Sequence, residues 1–359
     1  MTAIKLARGL VASILFAFAN GACAQQFAGR VVTMVVNYPA GGPTDIEARI
    51  VARHLPKYVQ GVKSIIVRNV GGGSGTIGVN QLGESPERDR FNVSLFTWDP
   101  VTQLIQDELL HVRYNDLKFI VGFRSVSFVY IRRDTPPGIK QSADVVKAAN
   151  IKVGATGPVN QATLRQRLAL DLLGAKYEVI PGYKGLAEAE LAVRRGDVHM
   201  SITSLPAWYA SVKPNLADTG IVMPLLQFDY ERADGTPGRS PELAEVPSFS
   251  EVFKEIKGDA AVPSGEHWQA LRLLHRVMDS MFRTVFMPPN APAAAVEEMR
   301  RAFEKLATDA EFIADYEKIT RTRPALVIGA QGEAIISELG KVQPSLVSFL
   351  RRYIDAGRR

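Results

Sequence analysis

Apolar and polar positions along this chain fall into blocks, and three blocks share one order. An apolar, strand-like run leads into a glycine-rich turn, and the turn leads into an amphipathic helix. The first is Val31 to Tyr38, then Pro39 to Asp45, then a helix through Ile46, Ile50 and Val51. The second is Ser64 to Val67, then Gly71 to Gly75, then a helix from about Ile77. The third is Lys152 to Gly154, then Ala155 to Asn160, then Gln161 to Leu173. The period changes from two to 3.6 across each turn, which is the signature of a strand feeding a helix.

The rest of the chain continues the alternation. Strands are expected at Phe91–Trp98, Lys118–Gly122, Ser127–Ile131, Tyr177–Ile180, Val198–Thr203, Ile221–Leu226 and Thr284–Met287. A short helix opens at Ser142, and Leu186 to Arg195 is helical up to Gly196. Helix dominates from Glu266, with long helices over Ala293–Thr308 and Gly332–Ala356. Alternating β and α elements predict an α/β fold with helices on both sheet faces. In such folds ligands gather beyond the carboxyl ends of the strands, where these glycine turns fall.

The turns also carry candidate chemistry. A glycine turn opening a helix can aim unpaired N–H groups at one point and bind an anion without a charged side chain. Ser74, Thr156 and Thr163 add hydroxyl donors. Asp45 is read as capping or orienting its own turn, because an ionised carboxylate facing an anion would repel it. Ser204 is either a polar contact or a turn former, Lys184 either a contact or a solvated lysine. Trp98 and Tyr183 either line a cleft or pack in the core.

Composition narrows the setting. The 359 residues are 46% apolar and 22% charged, ordinary globular values. Lys5 and Arg8, the apolar run Leu10–Ala19 and Ala22-Cys23-Ala24 read as a signal peptide over residues 1–24, cleaved after Ala24 on secretion. Cleavage removes the lone cysteine, so thiol catalysis and disulfides are excluded from the mature chain. The 41 basic against 37 acidic residues that remain are too balanced for a nucleic-acid binder.

The segment Tyr38-Pro39-Ala40-Gly41-Gly42-Pro43-Thr44-Asp45 resembles the opening motif of the TctC or Bug family, the receptors of tripartite tricarboxylate transporters. Val67 to Gly78, Val153 to Gly157 and Pro181-Gly182-Tyr183-Lys184-Gly185 follow in the family's order. Val246–Glu251 and Met287–Pro292 are weaker echoes. The resemblance implies a periplasmic protein with a two-lobed, type II Venus-flytrap fold and no catalytic residues, metal or cofactor. It implies lobe 1 from 25–126 and 228–340, lobe 2 from 127–227, and a helical tail at 341–359. Hinge strands would lie near Phe123–Val129 and Ile221–Phe228. Backbone groups at Ala40, Gly41, Gly42, Gly72, Gly73, Ser74 and Gly75 would hold one carboxylate. Thr156, Gly157 and neighbours would hold the other end. Tyr38, Asp45, Asn160, Tyr183, Lys184 and Ser204 complete the candidate site. The implied partners of this monomer are a small carboxylate and the large and small membrane subunits of the transporter. A sensor module signalling to a membrane kinase would share the same pocket.

A rival reading uses some of the same residues. Gly73-Ser74-Gly75-Thr76-Ile77-Gly78 fits G-x-G-x-x-G, with Asp99 about 20 residues on as a ribose-binding acid. Against it, an equally glycine-rich turn precedes this one. Hydrolytic and metal motifs are lacking, and the five histidines are scattered.

Overall fold

The computed structural model describes residues 25–232 and 236–357. The expected signal peptide and Cys23 lie outside the described residues. Two sheets carry the fold. The first contains β1 (Val31–Val36), β2 (Ser64–Asn69), β3 (Val93–Thr97), β4 (Lys118–Phe123), β10 (Arg283–Met287) and β11 (Leu326–Ile328). Their order is β11-β4-β10-β3-β1-β2, with β1 parallel to both neighbours and β10 antiparallel to β3 and β4. The second contains β5 (Ser127–Arg132), β6 (Ile151–Gly154), β7 (Tyr177–Ile180), β8 (Met200–Ser204) and β9 (Val222–Gln227), ordered β7-β6-β8-β5-β9. This is the α/β architecture that the sequence pattern predicts, in the two-lobed binding-protein form that the resemblance implies.

The helices follow from local chemistry. Helix α1 (Pro43–His54) starts with proline at its first position, where the missing N–H costs nothing. Thr76–Gly83 forms α2 and Pro100–Leu104 forms α3, the latter capped by Asp99. Helix α4 (Gln161–Leu173) is capped by Asn160 and ends at Gly174, whose φ of 82° is left-handed. Helix α5 (Leu186–Arg195) ends the same way at Gly196. Then come α6 (Phe249–Lys257), α7 (Gly265–Ser280), α8 (Ala293–Leu306) and α9 (Ala310–Thr320). The expected long helix over Gly332–Ala356 is two helices, α10 (Ala330–Glu338) and α11 (Pro344–Ala356). Pro344 lacks an N–H and holds Gln343 extended, so the first helix cannot run through.

The cores show how the lobes divide. One face of the first sheet packs against α1, α8 and α9 through residues such as Met34, Ile50, Met299 and Phe312. Its other face buries Trp98, Tyr114 and Phe286, which places Trp98 in the core. The second sheet packs Val153 and Ile202 against Leu164 and Leu168 of α4. That same core takes Phe249 and Val252 of α6, Ala270 and Leu274 of α7, and Phe349 and Leu350 of α11. The sequence division gave 228–340 to the first lobe and 341–359 to a tail. Packing splits it differently: α6, most of α7 and α11 join the second core, α6 and α7 against α4 and α11 against α7. Val277 and Met281 then return the chain to the first core. The strands cross between sheets at Arg124–Val126 and after Gln227.

Candidate functional site

Where the glycine turns of the two lobes face each other, a cavity of about 220 Å³ remains. Tyr38, Ala40, Gly42 and Thr44 line it from the first turn and α1. Thr156, Asn160 and Gln161 line it from the turn before α4, and Lys184, Leu186 and Ala187 from the start of α5. Thr97 and Arg283 complete the first-lobe wall. The starts of α1 and α5 are neighbours across the gap, since a Cβ placed on Gly42 would lie 3.9 Å from that of Ala187. Neither start has a side-chain hydrogen bond on its cap residue. Two partial positive poles from opposite lobes therefore meet at one end of this cavity.

The floor is a buried polar network. Asn37 exchanges two hydrogen bonds of 3.0 Å with the backbone of Thr97. The Thr97 hydroxyl lies 2.7 Å from that of Thr44 and accepts from Arg283 Nη1 at 2.9 Å. Arg283 Nη2 donates to Glu47 Oε1 at 2.8 Å, and Tyr316 donates to Glu47 Oε2 at 2.9 Å. The network ties β1, β3, β10, α1 and α9 together, and so fixes the first-lobe wall. Arg283 Nε, Thr156 Oγ1 and Gln161 Oε1 are buried without a protein partner on cavity-lining residues. Buried polar groups ordinarily carry partners, so these three mark where a ligand or water belongs.

The expected site residues fall into two sets. Tyr38, Ala40, Gly42, Thr156, Asn160 and Lys184 line the cavity. Gly41, at φ 79°, gives its N–H to Asp45 Oδ2 at 2.8 Å, and Asp45 also accepts from Arg49 at 2.9 Å. Asp45 thus faces its own turn, in the orienting role expected of it. The second glycine turn lies beside the cavity rather than on its wall. Gly72, Gly73, Ser74 and Gly75 all have positive φ, a run that demands glycine at most positions. The Ser74 carbonyl accepts the Tyr38 hydroxyl at 2.8 Å. A Cβ on Gly157 would lie 2.5 Å from Ser74 Oγ, so this turn closes against the second lobe. Tyr183 packs beside the core of the second lobe, and the buried Ser204 hydroxyl has no protein partner away from the cavity wall.

Sequence reasoning passed over Arg283, Gln161 and Thr97. The signal for Arg283 was a charge inside an apolar strand, Phe282 to Met287, where an unpaired charge would be costly. Asp99, read as a ribose acid in the rival interpretation, is engaged elsewhere. Oδ1 accepts the Val101 N–H at 3.1 Å. Oδ2 accepts the Gln161 N–H at 3.0 Å and Asn160 Nδ2 at 3.1 Å. Burial pushes its carboxyl up to about 7 despite those N–H bonds.

Two other features fall outside this site. A cavity of about 690 Å³ opens beside Arg124–Val126 and α7, and meets none of the glycine turns. Among the described residues, His54, Asp309 and Glu311 approach metal-ligand spacing. Lys57 Nζ donates to both of those carboxylates, so a protein cation already stands there.

No family model matches the chain. A UPF0065 protein encoded in the gbd 5′ region of Cupriavidus necator is 24% identical over 316 residues, covering 82% of this chain and 86% of its own. BugT of Bordetella pertussis is 27% identical over 260 residues, 70% of this chain and 76% of its own. Among solved structures, the periplasmic binding protein BugD covers 91% of this chain and 98% of its own, with a TM-score of 0.66 at 19% identity. The chain is thus similar in sequence to UPF0065 and Bug proteins and shares the fold of BugD. MatC of Rhodopseudomonas palustris with bound malate has the same fold, with a TM-score of 0.64 at 17% identity over 91% of this chain and all of MatC. The turns that carry the resemblance to TctC/Bug proteins enclose the cavity or close beside it. The cavity wall offers threonine hydroxyls, the Tyr38 hydroxyl, the amides of Asn160 and Gln161, the Lys184 and Arg283 cations and the Glu188 carboxylate.

Proposed function

We propose that this protein is a periplasmic receptor of the TctC/Bug kind that captures one small carboxylate between its lobes and delivers it to the membrane subunits of a tripartite tricarboxylate-type transporter. The observation that carries this reading is the convergence of the α1 and α5 starts, from opposite lobes, on one cavity. A carboxylate there touches both lobes and favours the closed form, and only that preference can drive closure. Backbone N–H groups of the first turns, with Thr156 and Lys184, are the contacts this reading assigns. MatC with malate shows that the fold can hold a small acid.

The test is a thermal-shift screen of residues 25–359 against carboxylic acids, with NAD included. A ligand at a hundred times its Kd adds about 2.7 kcal/mol, a readable rise in Tm. A rise with an acid and none with NAD is expected. A rise with NAD alone, or conversion of the acid to product, would overturn the reading.

A further inference from the structure

The cavity of about 690 Å³ shares no lining residue with the cleft between the glycine turns. Both crossings between the sheets bound it, Arg124–Val126 on one side and Phe228 and Asp229 on the other. Tyr316 and Arg323 add first-lobe wall, and Phe249 and one face of α7 complete it. A buried chain of bonds, Tyr316 to Glu47 to Arg283, stands between this cavity and the cleft. Its volume is about three times that of the cleft cavity. It falls within the roughly 300–1,000 Å³ typical of sites for drug-sized molecules.

The wall is amphipathic. Val262 and Tyr230, large side chains left 74% and 40% exposed, line it beside the partly exposed Trp268. Trp268 stacks on Phe249 with ring centroids 5.5 Å apart and 22° between planes. Such a surface suits an apolar body with a flat face. Four arginines, Arg124, Arg272, Arg276 and Arg323, also line the cavity, and all are exposed. Arg272 lies 5.9 Å over the Trp268 ring. The other three guanidinium groups have no hydrogen bond or ion pair among the described residues. Of the four acids on the wall, Asp229, Glu231, Glu242 and Asp279, two are engaged. Asp229 accepts the Ser250 N–H at 2.9 Å and the Ser250 hydroxyl at 2.5 Å. Asp279 Oδ2 lies 3.0 Å from His275 Nε2. Burial raises the carboxyls of Asp229, Glu242 and Asp279 above their ordinary values, against their charged forms. The charge left for a ligand is therefore mainly positive. Trp268, Arg272 and Arg276 stand four residues apart on α7, so ring and cations share one face.

We propose that this cavity is a second binding site, separate from the cleft, for an amphipathic organic anion: an aromatic acid whose rings lie on the Trp268 and Val262 wall and whose carboxylate meets Arg272 and Arg276. The apolar body and the charged end match the two parts of the wall. The site does not depend on what the cleft binds.

The experiment is calorimetric titration of residues 25–359 with 2-naphthoate and with 2-naphthylmethylammonium, which carries the same rings and the opposite charge. The proteins are wild type, the double variant Arg272→Ala, Arg276→Ala, and the cleft variant Thr156→Val, Lys184→Ala. Wild type is expected to bind one 2-naphthoate, at least tenfold tighter than the ammonium compound. The arginine variant is expected to lose at least tenfold in affinity at an unchanged Tm, because both side chains are exposed. The cleft variant is expected to keep the wild-type affinity. No binding of 2-naphthoate by wild type, or tighter binding of the ammonium compound, would overturn the inference and needs no variant to fold. Full affinity in a folded arginine variant would overturn it too. So would a loss confined to the cleft variant, which would put the naphthoate in the cleft.

Discussion

Arg283 and Glu47 are 3% and 6% exposed and 2.8 Å apart, with Tyr316 on the same carboxylate. Removing one member of a buried pair leaves the other charge uncompensated. Glu47→Gln is therefore expected to lower stability by about 3 kcal/mol in urea denaturation. Asp99 gives a pH dependence with a definite sign. Its carboxyl titrates at about 7 when folded, raised by burial above the ordinary 3.8. Between those values the folded chain holds a proton that the unfolded chain has lost. Its contribution to stability is thus full below about pH 4 and falls away as pH rises through 7. Melting curves from pH 5 to 8 are expected to fall less for Asp99→Asn than for wild type. An equal fall in both would contradict the assignment. At this scale the sequence shows residue types well and partners poorly. Asp99 reads in the sequence only as a ribose acid, yet it caps α3 ahead of Pro100, and its second bond, to Gln161, depends on two lobes meeting.

Strand, glycine turn and helix were legible because the period changes and the turn residues agree. Gln161–Leu173 and Leu186–Arg195 are helices with those bounds, ended by left-handed glycines. Helix α6 went unread although Ser248 and Glu251 form a capping box ahead of its apolar stripe. The break before Pro344 went unread because the apolar period continues through it. Close packing at element junctions gives a test. A Cβ on Gly78 would lie 2.9 Å from Asn37 Cα, Asn37 Cβ and the Val70 carbonyl, all held by β1 and its neighbour. Gly78→Ala is expected to cost about 2 kcal/mol by overpacking, measured by urea denaturation. A neutral result would mean that α2 does not seat on β1 as described.

For the whole molecule, the two sheets and the facing turns were legible, while the lobe division was not. Which core receives α6, α7 and α11 depends on which helix each apolar stripe meets, and a stripe names no partner. Closure depends on contacts of the same kind. Gly157 leaves room for Ser74 Oγ across the cleft, and an added Cβ would lie 2.5 Å from it. Gly157→Ala is expected to disfavour the closed form and weaken acid binding on the order of tenfold, through the population of that form. Adding Ser74→Gly is expected to restore most of the loss.

The central claim is one small acid held between the two lobes by the facing helix starts. Calorimetric titration of residues 25–359 with the acid that most raises Tm tests it most directly, alongside a Thr156→Val, Lys184→Ala variant. The account predicts 1:1 binding to wild type, at least tenfold loss in the variant, and recovery of the acid unchanged. Binding that the folded variant retains in full, or an acid consumed in the cell, would contradict it.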